Sequence, residues 1–159
     1  MIVGDPFDFA ISWEIVESWN TNASVWENGI FRMYIGGVQL PPKLEVAELK
    51  VCIGTYAGMN FSSFEECLLP LDVMSRRLEI VKHYIQQEST KEESALFDKR
   101  KIIDLTCTAM EDQSCWAYLL KKSSKEESII WTMDGQIMHE NLLPINTVKN
   151  VFDMLPLTL

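Results

Sequence analysis

Residues 7–15, Phe-Asp-Phe-Ala-Ile-Ser-Trp-Glu-Ile, place an aromatic or branched apolar side chain at every second position and a polar or small one between. Side chains alternate between the two faces of a β-strand, so this period predicts a strand with one buried face; an amphipathic helix would repeat every three to four residues. Such a strand must find hydrogen-bonding neighbours and a cover for its apolar face. The next apolar run, Ile30-Phe-Arg-Met-Tyr-Ile, leads into Gly36-Gly37 and then Val38-Gln-Leu. Paired glycines accept the positive φ angles of a tight hairpin turn. The first forty residues are therefore expected to form a three-stranded antiparallel meander. Pro41-Pro42 closes it, because proline donates nothing to a sheet ladder.

Beyond the prolines the pattern is mixed. Leu44–Ile53 reads as a fourth strand or a helix, and its imperfect alternation leaves both open. Ser62 or Ser63 is placed to cap a short helix carrying Phe64, Cys67 and Leu68, which Pro70 interrupts. Asp72 is placed to cap a longer helix, with Val73, Arg77, Ile80, Val81, Tyr84 and Ile85 at spacings of three and four, ending near Gln87. Residues 86–101 are polar and charged and predict an exposed loop. Residues 102–110 and 115–120 are strand candidates joined by Glu111-Asp-Gln-Ser, with a further turn at Ser123-Ser-Lys-Glu-Glu. Asp134-Gly135, between Ile129-Ile-Trp-Thr-Met and Gln136-Ile-Met-His-Glu, predicts a two-residue type I′ hairpin. Asn146 is expected to cap a last helix, with Val148, Val151, Phe152 and Leu155 at helical spacing before Pro156. The expected class is α+β: a mostly antiparallel sheet, N-terminal meander plus C-terminal hairpins, with two or three helices packed on one face. With no βαβ alternation, a doubly wound nucleotide-binding fold is not expected.

A chain of 159 residues fits one domain, expected to span 1–159, and its 47% hydrophobic and 23% charged content is that of a globular protein. Asp5 and Asp8 interrupt any apolar stretch near the N-terminus, and no run approaches about 18 apolar residues, so a cytoplasmic location without a membrane partner is expected. Cys52, Cys67, Cys107 and Cys115 lack the close spacing of metal or redox pairs and read as small core residues. The net charge of −9 repels nucleic acid and favours a basic partner, although no acidic run exceeds two residues.

Catalysis finds little material. The only histidines are His83 and His139, and the single conceivable dyad is Cys107 or Cys115 with His139. No motif preassembles metal ligands, and Gly36-Gly37 lacks the lysine of a phosphate-binding loop. No catalytic residue, metal site, cofactor or small-molecule substrate is therefore expected. Trp13 and Trp131 lie on strand patterns and are expected in the core, whereas Trp19 and Trp26 flank a polar loop that they are expected to clamp.

Met1-Ile-Val-Gly-Asp-Pro-Phe-Asp-Phe-Ala-Ile, the Trp-bearing strand it enters, and Asn28-Gly-Ile-Phe-Arg-Met-Tyr-Ile-Gly-Gly resemble the immunity protein 42 family of bacterial polymorphic toxin systems. Asp134-Gly, His139-Glu-Asn-Leu-Leu-Pro and the helix at 147–155 are similar to the end of that family. The likeness covers about the first forty and last thirty residues, with no family pattern between Pro41 and Glu127. It implies a protein that blocks a cognate toxin, such as the C-terminal domain of a contact-dependent growth inhibition effector, by stoichiometric binding. Many toxins of this kind are nucleases, and a basic one would complement the charge. Specificity is then expected in the unmatched middle and on C-terminal turns, at Glu65, Glu66, Glu79, Glu88, Glu92, Glu93, Asp112, Glu126 and Glu127, because rim carboxylates steer a basic partner. A general interaction module, an adaptor or secretion chaperone, would share the acidity and the lack of an active site.

Overall fold

The computed structural model describes residues 1–21, 25–61, 64, 74–157 and 159. Their contacts group into two compact units that alternate along the chain: residues 1–60, 107–113 and 148–159 form the first, residues 61–106 and 114–147 the second. Each contains one antiparallel sheet, and the fold is α+β as the pattern predicts.

In the first unit, β1 (Ile2–Asp5), β2 (Phe9–Ile15), β3 (Asn28–Ile35) and β4 (Val38–Leu40) run in that order, and the two-residue β5 (Ala47–Glu48) pairs with the start of β3. The expected meander is β2–β3–β4. The register Phe9↔Ile35, Ile11↔Met33, Trp13↔Phe31 puts the alternating apolar residues of both strands on one face, where all six are buried. The alternation overreaches at its ends, since Phe7 and Ile15 are exposed. β1 adds an edge strand that its short sequence does not announce. Gly4 permits this at a φ of +89°, since a Cβ there would stand 2.3 Å from the Phe9 carbonyl oxygen.

Leu44–Ile53 resolves mainly as helix: α1 (Leu49–Ala57) begins inside it, and Glu48 caps it by accepting from the N–H groups of Lys50 and Val51. Its inward residues Leu49, Cys52, Ile53 and Tyr56 are buried. The short helix α4 (Thr108–Glu111) occupies part of an expected strand, and the terminal α5 (Thr147–Asp153) lays Phe152 against Phe9 and Tyr56, with ring centroids 5.9 and 4.8 Å away. Phe31 stacks on Tyr56 from the sheet, completing an aromatic core.

The second unit holds β6 (Ile102–Asp104), β7 (Trp116–Lys121), β8 (Glu126–Thr132) and β9 (His139–Pro144) in simple order. Helix α2 (Met74–Ile85) follows the predicted periodicity; the short helix expected around Phe64 and the Asp72 cap lie outside the described residues. The loop expected over 86–101 is corrected. Residues Lys91–Asp98 form helix α3, started by a capping box in which Thr90 and Glu93 satisfy each other's backbone N–H groups. Leu96 joins Ile80, Val81, Ile102, Tyr118, Leu120 and Ile130 in the core, and Phe97 stacks on Tyr84 at 3.6 Å. The expected two-residue hairpin is also corrected. Trp131 pairs with His139, leaving a longer loop in which the Asp134 carboxylate accepts from the N–H groups of Gln136 and Ile137 and Gly135 takes a φ of +69°. Asn146 sits at a φ of +69° before α5 and donates its backbone N–H to Glu127 at 2.9 Å. Five α-helices are therefore present among the described residues, more than the two or three expected.

Candidate functional site

Among the described residues the thiols are not arranged as nucleophiles. Cys52 on α1 is fully buried and Cys107 at the start of α4 nearly so. A hydrogen bond from Cys107 draws Cys52 down to about 7 against the opposing effect of burial, with smaller help from the Ala109 N–H and the Thr108 hydroxyl. The same shared bond, then burial, pushes Cys107 far up. The pair is thus an internal thiol contact sealed from any substrate. Cys115 is buried as well, and desolvation followed by the nearby Asp134 charge pushes it up to about 11, opposite to what an attacking thiol needs. His139 stacks on Trp131 with centroids 4.3 Å apart, and His83 lies 3.3 Å from the Glu93 carboxylate. Among the described residues no group of three or more His, Cys, Asp or Glu is placed to hold a metal ion, and no helix is long and apolar enough to cross a membrane.

The expected contact carboxylates divide sharply. Glu88, Glu92 and Glu126 in the second unit and Asp112 in the first are exposed, and Glu79 is exposed with an ion pair to Arg76 at 2.8 Å. Glu93 and Glu127 are only 4% and 2% exposed, which corrects their assignment to a rim. Glu93 is occupied by the cap of α3, by Arg76 at 2.9 Å and by His83, while Glu127 holds the Asn146 N–H. The Thr90 N–H, then His83 and Arg76, keep the Glu93 carboxyl below the usual range. Glu65 and Glu66 lie outside the described residues.

A buried charge pair escaped the sequence reading. Arg77, one turn into α2, grips both oxygens of Glu140 on β9 through Nε and Nη2, each at 2.8 Å, and the Ser128 hydroxyl adds a third donor at 2.5 Å. Both side chains are buried, and two-pronged geometry of this kind satisfies them. Arg77 did fall on the helical apolar spacing, which was the available signal.

Trp13 and Trp131 are buried as expected, with the Trp131 Nε1 donating to Asn141 at 2.7 Å. Trp19 and Trp26 are exposed, and residues 22–24 of the polar loop they are expected to clamp lie outside the described residues. The flanking segments are joined by Asn20, whose side chain donates to the carbonyls of Val16 and Asn28 and accepts from the Asn28 N–H at 2.7 to 2.9 Å.

Among the described residues the fold is α+β, the thiols are buried, the histidines are held in contacts, and several carboxylates are exposed. The family model described as immunity protein 42 matches residues 1–157, so the chain belongs to that family, and it is a toxin-neutralising inhibitor that works by binding and not by catalysis. The match spans the middle of the chain, where the sequence alone showed no family pattern. Comparison with curated proteins gives no match. Among solved structures, the chain is similar to CdiI from Burkholderia dolosa AUO158, with a TM-score of 0.69 at 19% identity over 96% of each chain, which is a likeness of fold.

Proposed function

We propose that this chain acts in the cytoplasm, as one domain spanning 1–159, by holding a basic toxin domain with nuclease activity in a stoichiometric complex that covers or locks its substrate cleft. The observation that carries this reading is the family match over nearly the whole chain. The CdiI-like fold supports it. The net charge of −9 and the exposed Glu79, Glu88, Glu92, Asp112 and Glu126 fit a basic partner, because exposed carboxylates accelerate encounter with a cationic surface and set its register. Neutralisation asks nothing of the inhibitor beyond affinity, which agrees with the buried contact between Cys52 and Cys107.

The test is co-expression with the toxin domain encoded next to this gene. Growth should be restored, nucleic acid in the cells should stay intact, and the two proteins should co-purify one to one. Unrelieved toxicity with no complex would refute the immunity role; relief with no nuclease activity in the free toxin would refute only the nuclease assignment.

A further inference from the structure

Three segments of the first unit bring apolar side chains to one corner. The Leu49 N–H donates to the Glu27 carbonyl at 2.8 Å, the Glu27 N–H to the Glu48 carboxylate at 3.1 Å, and Lys50 Nζ to the Val25 carbonyl at 3.1 Å. The backbone around Val25 and Trp26 is thereby tied to the first turn of α1, the turn that also carries Val51. On the other flank Asn28 Nδ2 donates to the Trp19 carbonyl at 3.1 Å, drawing the 3-10 turn Glu17–Trp19 against the start of β3. Val46 immediately precedes β5, whose Ala47 pairs with Gly29. Val25 is 78% exposed and Trp26 and Val46 about 60%, with Trp19 and Val51 close to two-fifths exposed.

Single apolar residues on a surface need no explanation, but five from three segments at one corner are a patch. None is needed for the core, because α1 already turns Leu49, Cys52, Ile53 and Tyr56 inward. Exposed carboxylates neighbour it in the chain: Glu17 precedes Trp19, Glu45 precedes Val46 and Glu14 lies near the end of β2, while the cation of the first turn of α1, Lys50, is tied to Glu27 at 3.6 Å. Tryptophan at an apolar centre with a polar rim is the composition of a binding hot spot.

We propose that this corner is the anchoring face for the toxin, with Trp26 entering an apolar depression and Glu14, Glu17 and Glu45 meeting lysines or arginines around it. The proposal rests on the reading of the chain as an immunity protein for a basic toxin. The carboxylates of the second unit would then influence encounter, while Trp26 sets the lifetime of the complex.

The test titrates the full chain and its variants with the purified toxin domain encoded beside this gene, by calorimetry and stopped-flow, with melting curves for each variant. Trp26→Ala is expected to weaken binding roughly thirtyfold or more through faster dissociation, with an unchanged melting point. Glu45→Lys should slow association severalfold and flatten its salt dependence, and Leu142→Ala, at an exposed apolar residue of β9, should change neither. If Trp26→Ala melts early, Val46→Asp serves in its place and is expected to weaken binding as strongly. Tight binding by the wild type that survives both Trp26→Ala and Val46→Asp within twofold overturns this face but leaves the immunity role standing. No binding by the wild type overturns both. A wild type that sediments as a dimer and becomes monomeric on Trp26→Ala shows the corner to be a contact between copies, which also overturns the proposal.

Discussion

Arg77 and Glu140 show how little a residue's type says about its place. An arginine at a helical apolar spacing invites two readings, a polar interruption of the buried face or a charge taken inside with a partner. Only the position of Glu140, 63 residues later in the chain, decides between them. Removing one member leaves the other charged, buried and unpaired, so Arg77→Ala should cost about 3–5 kcal/mol in urea unfolding. Replacing both, as Arg77→Met with Glu140→Leu, should recover most of that loss, because the desolvation of two ions is relieved together. Glu93 makes a pH-dependent contribution. Its folded-state value lies below the ordinary glutamate range, so the ionised form favours folding above that range and the benefit disappears as pH falls through the folded value. Wild-type stability should therefore drop on acidification more steeply than that of Glu93→Gln, which keeps the capping-box geometry but does not titrate; parallel curves would contradict this.

At the level of elements, α3 was hidden by its own composition. The Thr90-x-x-Glu93 spacing is a capping signature, yet the surrounding lysines and glutamates made the segment look like a solvated loop. It is held as a helix by Leu96 in the core and Phe97 stacked on Tyr84, contacts that no local rule supplies. Thr90→Ala should lower stability by about 1 kcal/mol, read as a reduced urea midpoint with an unchanged slope. Gly29 carries a different kind of constraint. A Cβ there would stand 2.1 Å from the Glu14 carbonyl oxygen and 2.5 Å from Leu49, at the place where β2, β3 and the start of α1 converge. Gly29→Ala should force these apart and cost about 1–3 kcal/mol or more in thermal unfolding, whereas Gly54→Ala, with open space around it, should be neutral or stabilising within α1. The Asp134 loop shows why Asp-Gly misled: the dipeptide does make a turn, but the carboxylate gathers the N–H groups of Gln136 and Ile137 into a longer loop in place of a two-residue hairpin.

For the whole molecule, two properties matter. The first is charge. With −9 spread over the chain, association with a basic toxin should slow with added salt as screening shortens the reach of the field, while dissociation changes little. An association rate independent of salt would remove the basic-partner assignment. The second is connectivity. The first unit takes its α4 and α5 segments from beyond residue 106, and Phe152 on α5 fills the space between Phe9 and Tyr56. A fragment ending at residue 106 should therefore lack a stable first unit, seen as loss of dispersed amide resonances, and the intact chain should unfold in one transition by fluorescence and circular dichroism together.

Strand β2 with its partners, helix α2, the terminal helix and the family likeness at both ends were legible in the residues, because periodicity, turn chemistry and short motifs are local properties of the chain. Local rules also suffice to show that the histidines and cysteines form no recognisable catalytic motif. Burial is not local. Whether Glu93 and Glu127 face water or the interior, whether Trp26 clamps a loop or stands exposed, and whether a charged segment coils or forms α3 each depend on residues tens of positions away. Those outcomes were decided by tertiary packing, which takes a carboxylate inside only where donors distant in the chain satisfy it.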